Sequence, residues 1–169
     1  MSPARGLNPW LWIGAPMLQV LAATALFAIP LRIFGLQAPE PVFAMAPAFA
    51  WAAIRPSIIA PFAVLGLGLA LDYLWGGPQG LWSLCLLLTY ALALSGRNML
   101  AGQGRMAMFV WYAALTALSF SMGWLIIALM TGTAPTLMGL GLQFLATIAL
   151  YPFAQRLIDL FEDADVRFR

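Results

Sequence analysis

The side chain in this sequence whose position most suggests chemistry is Asp72, an acid inside an otherwise apolar stretch. An ionised group at the middle of a membrane helix costs about 2.5–3.5 kcal/mol on insertion scales, and less near an interface. Because Asp72 lies near the end of its stretch, two interpretations stay open. Its carboxylate is either buried in a helix bundle, where it fixes the fold or a partner surface, or is a wetted helix-end group that caps the turn Gly76–Gly80.

Two further residues bear on how Asp72 is held. Gly68 lies one helical turn before it, and a glycine there lets a neighbouring backbone approach closely. Arg32 follows the first apolar run, on the side of the membrane predicted for Asp72, and is the candidate partner of an Arg32–Asp72 ion pair. The alternative for Arg32 is that its guanidinium reaches the lipid headgroups.

Other catalytic chemistries lack the residues they need. The chain has no histidine and a single cysteine, Cys85, which excludes a His-based triad, a His metal site, a thiolate cluster and an internal disulfide. No Gly-rich phosphate loop follows a strand. Two-carboxylate catalysis would need a second acid beside Asp72, but the tail acids are predicted on the opposite side: Asp159, Glu162, Asp163 and Asp165. We therefore expect a protein that is not an enzyme and has no catalytic residue, metal or cofactor.

The composition indicates the setting in which these residues work. Of the 169 residues, 63% are hydrophobic and 8% are charged, whereas a soluble domain is nearer half apolar and a quarter charged. A membrane-spanning helix takes about 20 mostly apolar residues, so six would use roughly 120 positions and leave roughly 49 for loops and termini. The sequence predicts a small polytopic membrane protein.

The apolar runs predict an all-α bundle of six transmembrane helices in one integral membrane domain, residues 1–169. The second segment is short, since about 13 residues rise only about 20 Å, and it ends at the helix boundary Arg55-Pro56. Such a mismatch with the bilayer predicts that this segment exposes a surface for a partner helix. The approximate spans are 10–31, 42–54, 58–75, 81–94, 106–130 and 136–157.

The arginines predict the orientation. With six spans, the side that holds both termini carries seven of the eight cations, and the other side carries only Arg32. Cytoplasmic loops are enriched in Lys and Arg, so both termini are expected in the cytoplasm. The net charge of +2 is carried by loops, which indicates membrane orientation and not nucleic-acid binding.

Polar and small residues form stripes at helical spacing on the last two spans. In lipid such stripes favour helix–helix packing, because the bilayer gives no hydrophobic drive for association. A substrate pathway is the alternative. The stripes are Tyr112, Thr116, Ser119 and Gly123 on the fifth span, and Gly139, Gln143, Thr147 and Tyr151 on the sixth.

The segment from Gly68 to Leu81 resembles the "GLxxD…G-x-P-x-GL" segment of the bacterial rod-shape-determining membrane protein family MreD. Gly68-Leu69-Ala70-Leu71-Asp72 is followed, after three residues, by Gly76-Gly77-Pro78-Gln79-Gly80-Leu81. Arg55-Pro56 and Tyr151-Pro152 are similar to that family too. The matched motif residues are Gly68, Asp72, Gly77, Pro78 and Gly80, for which the resemblance implies a structural or partner-binding role.

The resemblance implies a non-enzymatic scaffold or adaptor in the cell-elongation complex that builds lateral peptidoglycan in the bacterial inner membrane. Its expected partners are MreC and, through MreC, MreB, RodA and a class B penicillin-binding transpeptidase, together with membrane lipid. It also implies a six-helix fold similar to that of the substrate-binding components of energy-coupling-factor transporters. The alternative function is therefore a small-solute-binding transporter component.

The six-span topology predicts which sites a membrane-impermeant thiol reagent reaches on intact cells. In a Cys85→Ser background, Gln37→Cys and Thr133→Cys should be labelled, whereas Gln103→Cys and a cysteine at the C-terminus should not. Labelling at Gln103→Cys would overturn the topology.

Overall fold

The computed structural model describes residues 13–27, 32–33, 36–37, 40–54, 57–100 and 102–166. Within these residues the expected all-α chain is confirmed, apart from a two-residue antiparallel ladder that pairs Arg32 with Gln37 and Ile33 with Leu36. The elements are α1 (Ala15–Phe27), β1 (Arg32–Ile33), β2 (Leu36–Gln37), α2 (Met45–Ile54), α3 (Ile59–Trp75), α4 (Leu81–Ser95), α5 (Arg97–Leu100), α6 (Arg105–Thr131), α7 (Leu137–Ile148) and α8 (Tyr151–Val166).

The segment predicted as one sixth span is two helices, α7 and α8, with a turn at Ala149 and Leu150 between them. Pro152 has no N–H to donate to the carbonyl of Ile148, so the helical ladder is interrupted there and restarts with the proline in the first turn of α8. A further difference is α5, a single helical turn inside the stretch predicted as a polar loop.

Two segments of the described chain are long and apolar enough to cross a membrane, namely Arg105–Thr131 and Leu137–Asp159. The second combines α7 with the first half of α8. The other apolar helices are shorter, between 10 and 17 residues. The longest of these, α3, has 17 residues and a rise of about 25 Å. The lengths of the two longer segments, Arg105–Thr131 and Leu137–Asp159, are compatible with membrane localisation.

The outer and inner surfaces of the helices differ in polarity. Large apolar side chains are exposed on α6 and α7, such as Leu129 at 75% and Met138 at 78%. Polar groups are buried: Thr89 of α4 and Ser119 of α6 share a hydrogen bond of 2.6 Å between their hydroxyls. Buried Thr116 donates to the carbonyl of Tyr112 at 2.8 Å. An apolar exterior around hydrogen-bonded polar groups is the arrangement that a lipid environment favours.

Contacts between helix ends show which helices begin at the same end of the bundle. At one end, the Arg105 guanidinium at the start of α6 lies 3.8 Å from the carboxylate of Asp159 on α8. At the other end, Leu81 at the start of α4 and Pro135 before α7 line the same cavity. Helices α4 and α7 therefore begin at the end of the bundle opposite to the start of α6.

Helix α2 lies at the centre of the structure, where it packs against α3, α4 and α8. Every residue from Met45 to Ala52 is buried, and Phe49 and Trp51 are fully inaccessible. The prediction that this short segment exposes a surface for a partner helix is therefore wrong. The alanines that alternate along α2 let neighbouring helices approach it on all sides, so its shortness is accommodated inside the protein.

The burial of α2 predicts that added volume there is not tolerated. Ala52→Trp should lower the free energy of unfolding by about 1–3 kcal/mol or prevent accumulation, because overpacking a filled core forces neighbours to shift. The matched control is Phe62→Trp on α3, since Phe62 is 68% exposed. SDS titration of the purified protein measures both, and equal unfolding midpoints for the two variants would contradict the central position of α2.

Candidate functional site

The site is built around Asp72, which lies in the last turn of α3 and is only 2% exposed. Both carboxylate oxygens accept hydrogen bonds from the backbone of the following helix. The N–H of Gly80 donates to Oδ2 at 2.8 Å, and the N–H of Trp82 donates to Oδ1 at 2.9 Å. The hydroxyl of Ser83 lies 3.5 Å from Oδ2 as a third, longer donor.

These bonds satisfy a need at the start of α4. The first N–H groups of a helix have no partner within the helix, and a side chain at the N-cap position commonly accepts from them. The N-cap of α4 is Gly80, which has no side chain and adopts a left-handed φ of 92°. Asp72 supplies the missing acceptor from the preceding helix, where the positive end of the helix dipole also favours an anion.

The two interpretations of Asp72 are therefore each right in one respect. The carboxylate is buried, as the first interpretation has it, and it caps the start of the next helix, as the second has it. It is not wetted. The cap ties α3, the turn Gly76–Gly80 and α4 into one unit, which we call the α3–α4 hairpin.

Gly68 permits the close contact on which this geometry depends. A Cβ added at Gly68 would lie 2.7 Å from Oγ of Ser83, and closer still to the backbone nitrogen and Cα of that residue. The predicted close approach at Gly68 is thus confirmed, and its partner is the backbone of α4. The same Ser83 hydroxyl lies 3.4 Å from the carbonyl of Leu65, which is a second acceptor for its single O–H.

The remaining motif residues lie in the turn, with unequal roles. Gly76 ends α3 in the left-handed region, with a φ of 65°. The carbonyl of Pro78 accepts from the N–H of Leu81 at 3.2 Å. Nothing in the structure explains a glycine at position 77, where a Cβ would meet open space.

The structure does not describe the side chains of the other predicted site residues. Arg32 is described only in its backbone pairing with Gln37, so the Arg32–Asp72 ion pair stays a prediction. Arg55 and Pro56, the predicted helix boundary, both fall in a gap of the description.

Sequence reasoning missed the aromatic and hydroxyl groups that surround the hairpin. The rings of Trp75 and Trp82 meet edge to face at 5.0 Å, and Trp82 meets Phe120 of α6 at 5.8 Å. The Nε1 of Trp75 is buried and has no hydrogen-bond partner among the described residues. No spacing signal marks Ser83, because its role depends on the fold of the turn before it.

The two predicted polar stripes have different outcomes. On α6, Tyr112, Thr116, Ser119 and Gly123 are all buried, as packing requires. On the sixth segment, Thr147 is buried and accepts from the N–H of Val42 at 3.1 Å. Gly139 and Gln143 line a cavity of about 240 Å³ between α4, α6 and α7, to which Ser119 and Gly123 of α6 also contribute.

Comparison of the chain with family models, curated proteins and solved structures finds no match. Within the described ranges, no group of three or more His, Cys, Asp or Glu side chains is placed to hold a metal ion.

The contact at Gly68 predicts a position-specific effect of one methyl group. Gly68→Ala should lower the free energy of unfolding by about 1–3 kcal/mol, since its Cβ meets backbone atoms that cannot move aside. Ser83→Gly should not rescue it, because the backbone of residue 83 remains. The matched control is Gly66→Ala, whose Cβ would meet only the flexible end of Met17 at 3.5 Å. Equal unfolding midpoints for the two alanine variants in SDS titrations would show that α3 and α4 are not in close contact.

Proposed function

We propose that this chain is a non-enzymatic scaffold or adaptor subunit of the bacterial cell-elongation complex, acting beside MreC. The observation that carries the proposal is that the Asp72 carboxylate caps the start of α4. Both of its oxygens accept backbone N–H groups inside the protein, so the carboxylate has a structural role and is not poised as an acid or base. The motif that resembles the MreD family thus describes a structural element, the α3–α4 hairpin.

The proposal includes six membrane segments in the bacterial inner membrane, with both termini in the cytoplasm. Its support is the distribution of the arginines, together with the large apolar side chains exposed on α6 and α7. The order of the helix ends agrees with it, because Arg105 and Asp159 meet at one end of the bundle. The short segments α2 to α4 would then cross a locally thin bilayer, or be covered by neighbouring helices.

The proposed partners are MreC directly and, through it, MreB, RodA and a class B penicillin-binding transpeptidase. Since α2 is buried, its surface is not available to them. The exposed apolar residues of α6 and α7, among them Leu129 and Met138, offer a surface to a partner's transmembrane helix or to lipid.

One observation favours the alternative, a substrate-binding component of a small-solute transporter. The cavity between α4, α6 and α7 is large enough for a small molecule. The described residues of its lining include none that is charged, however, and a site for a polar solute normally presents several placed polar groups. The scaffold therefore accounts better for the structure.

Depletion and copurification in the native host test the proposal. Loss of the chain should convert rods to spheres, and the tagged wild-type chain should retain MreC after mild detergent extraction. Asp72→Asn should restore rods poorly and retain less MreC, because an amide offers one acceptor oxygen to two buried N–H groups, at a cost of about 1–3 kcal/mol.

The matched control is Tyr73→Phe, since Tyr73 is 85% exposed on the same turn of α3. Rods that survive depletion unchanged would contradict the scaffold. Copurification of an ATPase module in place of MreC would favour the transporter component.

A further inference from the structure

The cavity between α4, α6 and α7 is distinct from the Asp72 cap and is not used by the proposed function. It has a volume of about 240 Å³. Three of the residues that line it are aromatic, namely Trp82, Phe120 and Trp124. The lining also includes four residues with polar side chains, namely Cys85, Ser119, Thr136 and Gln143.

The wall is held in place by interactions that do not need a ligand. The Trp124 ring N–H donates to the carbonyl of Pro135 at 3.0 Å, which joins α6 to the residue before α7. The thiol of Cys85 donates to the carbonyl of Ser119 at 3.4 Å. The cavity is therefore formed before anything binds, as ligand sites usually are.

Gln143 is a polar residue of the lining whose side chain has no hydrogen-bond partner among the described residues, and the hydroxyl of Thr136 is another such group. Its backbone carbonyl accepts from the Thr147 hydroxyl at 2.7 Å. Its side-chain amide makes no hydrogen bond to any other described residue. An amide that an apolar occupant covers without a hydrogen bond is disfavoured. An occupant that fits must therefore carry a hydrogen-bonding group.

The dimensions of the cavity set the size of that occupant. At about 30 Å³ for each water-sized group, the volume holds about eight such groups. Aromatic rings prefer edge-to-face or offset contacts with other rings, and Trp82 already meets Phe120 edge to face. We propose that this cavity binds a small aromatic molecule of one or two rings, whose single hydrogen-bonding group pairs with the amide of Gln143.

A hydrocarbon tail from a lipid is the main rival, because the protein is proposed to lie in a membrane. Such a tail fills the volume equally well but leaves the Gln143 amide unpaired. The two occupants therefore differ in one measurable property, the contribution of a hydrogen bond to affinity.

Isothermal titration of the full chain in nanodiscs with three probes tests the proposal. Indole and indene have nearly the same shape, but only indole carries an N–H group, while n-decane represents a lipid tail. Empty nanodiscs correct for partition into lipid. The wild-type chain should bind indole about tenfold more tightly than indene, which is the effect of one buried hydrogen bond.

Substitutions in and beside the cavity test whether the probes bind there. Gln143→Leu should bind indole and indene equally. Gly139→Leu should lose both, because residue 139 lines the cavity. The matched control Gly141→Leu should behave as wild type, since a Cβ there meets open space. Equal affinity of wild type for indole and indene, tighter binding of n-decane, or no binding of any probe would each overturn the proposal.

Discussion

A carboxylate inside an apolar helix pair has to find hydrogen-bond donors within the protein, and the arrangement around Asp72 follows from that requirement. The donors it finds are the N–H groups of Gly80 and Trp82, at 2.8 and 2.9 Å. These are groups that a new helix leaves unpaired at its start. One interaction thus offsets two desolvation costs, that of the anion and that of the helix terminus. It also fixes where α4 begins relative to the end of α3.

The tight packing of the hairpin follows from this bond. With α4 held at its start by Asp72, Ser83 is brought against the glycine one turn earlier on α3. The Ser83 hydroxyl then lies 3.4 Å from the Leu65 carbonyl, and the Trp82 ring is set between Trp75 and Phe120. The hairpin in turn presents α4 to α2 and α6. The same carboxylate therefore orders one wall of the cavity, although it does not line it.

Much of the helical framework can be predicted from the sequence. Helices α3, α4 and α6 begin and end within one residue of the predicted spans, because long apolar runs bounded by glycine and proline leave few alternatives. The close approach at Gly68 also follows from local spacing. Pro152 indicates the break between α7 and α8. The break was not predicted, because the residues on both sides of it are apolar and resemble one continuous span.

Other features depend on tertiary contacts that no local pattern encodes. The burial of α2 is set by which helices surround it, and its length alone indicates the opposite. The donors to Asp72 are backbone groups eight and ten residues away, whose direction depends on the turn between them. The cavity lies where α4, α6 and α7 meet, and both stripes of small and polar residues contribute to it, through Ser119 and Gly123 on α6 and through Gly139 and Gln143 on α7.

Amide hydrogen exchange at Gly80 and Trp82 tests most directly whether Asp72 holds this structure together. Selective ¹⁵N labelling of glycine and tryptophan in the full chain resolves both amides. They should exchange slowly in the wild type and at least about tenfold faster in Asp72→Ala, since each loses its acceptor. The Gly132 amide, bonded to the Ala128 carbonyl at 3.0 Å, should stay protected in both. Wild-type Gly80 and Trp82 amides that exchange at the rate of unprotected groups would contradict the account.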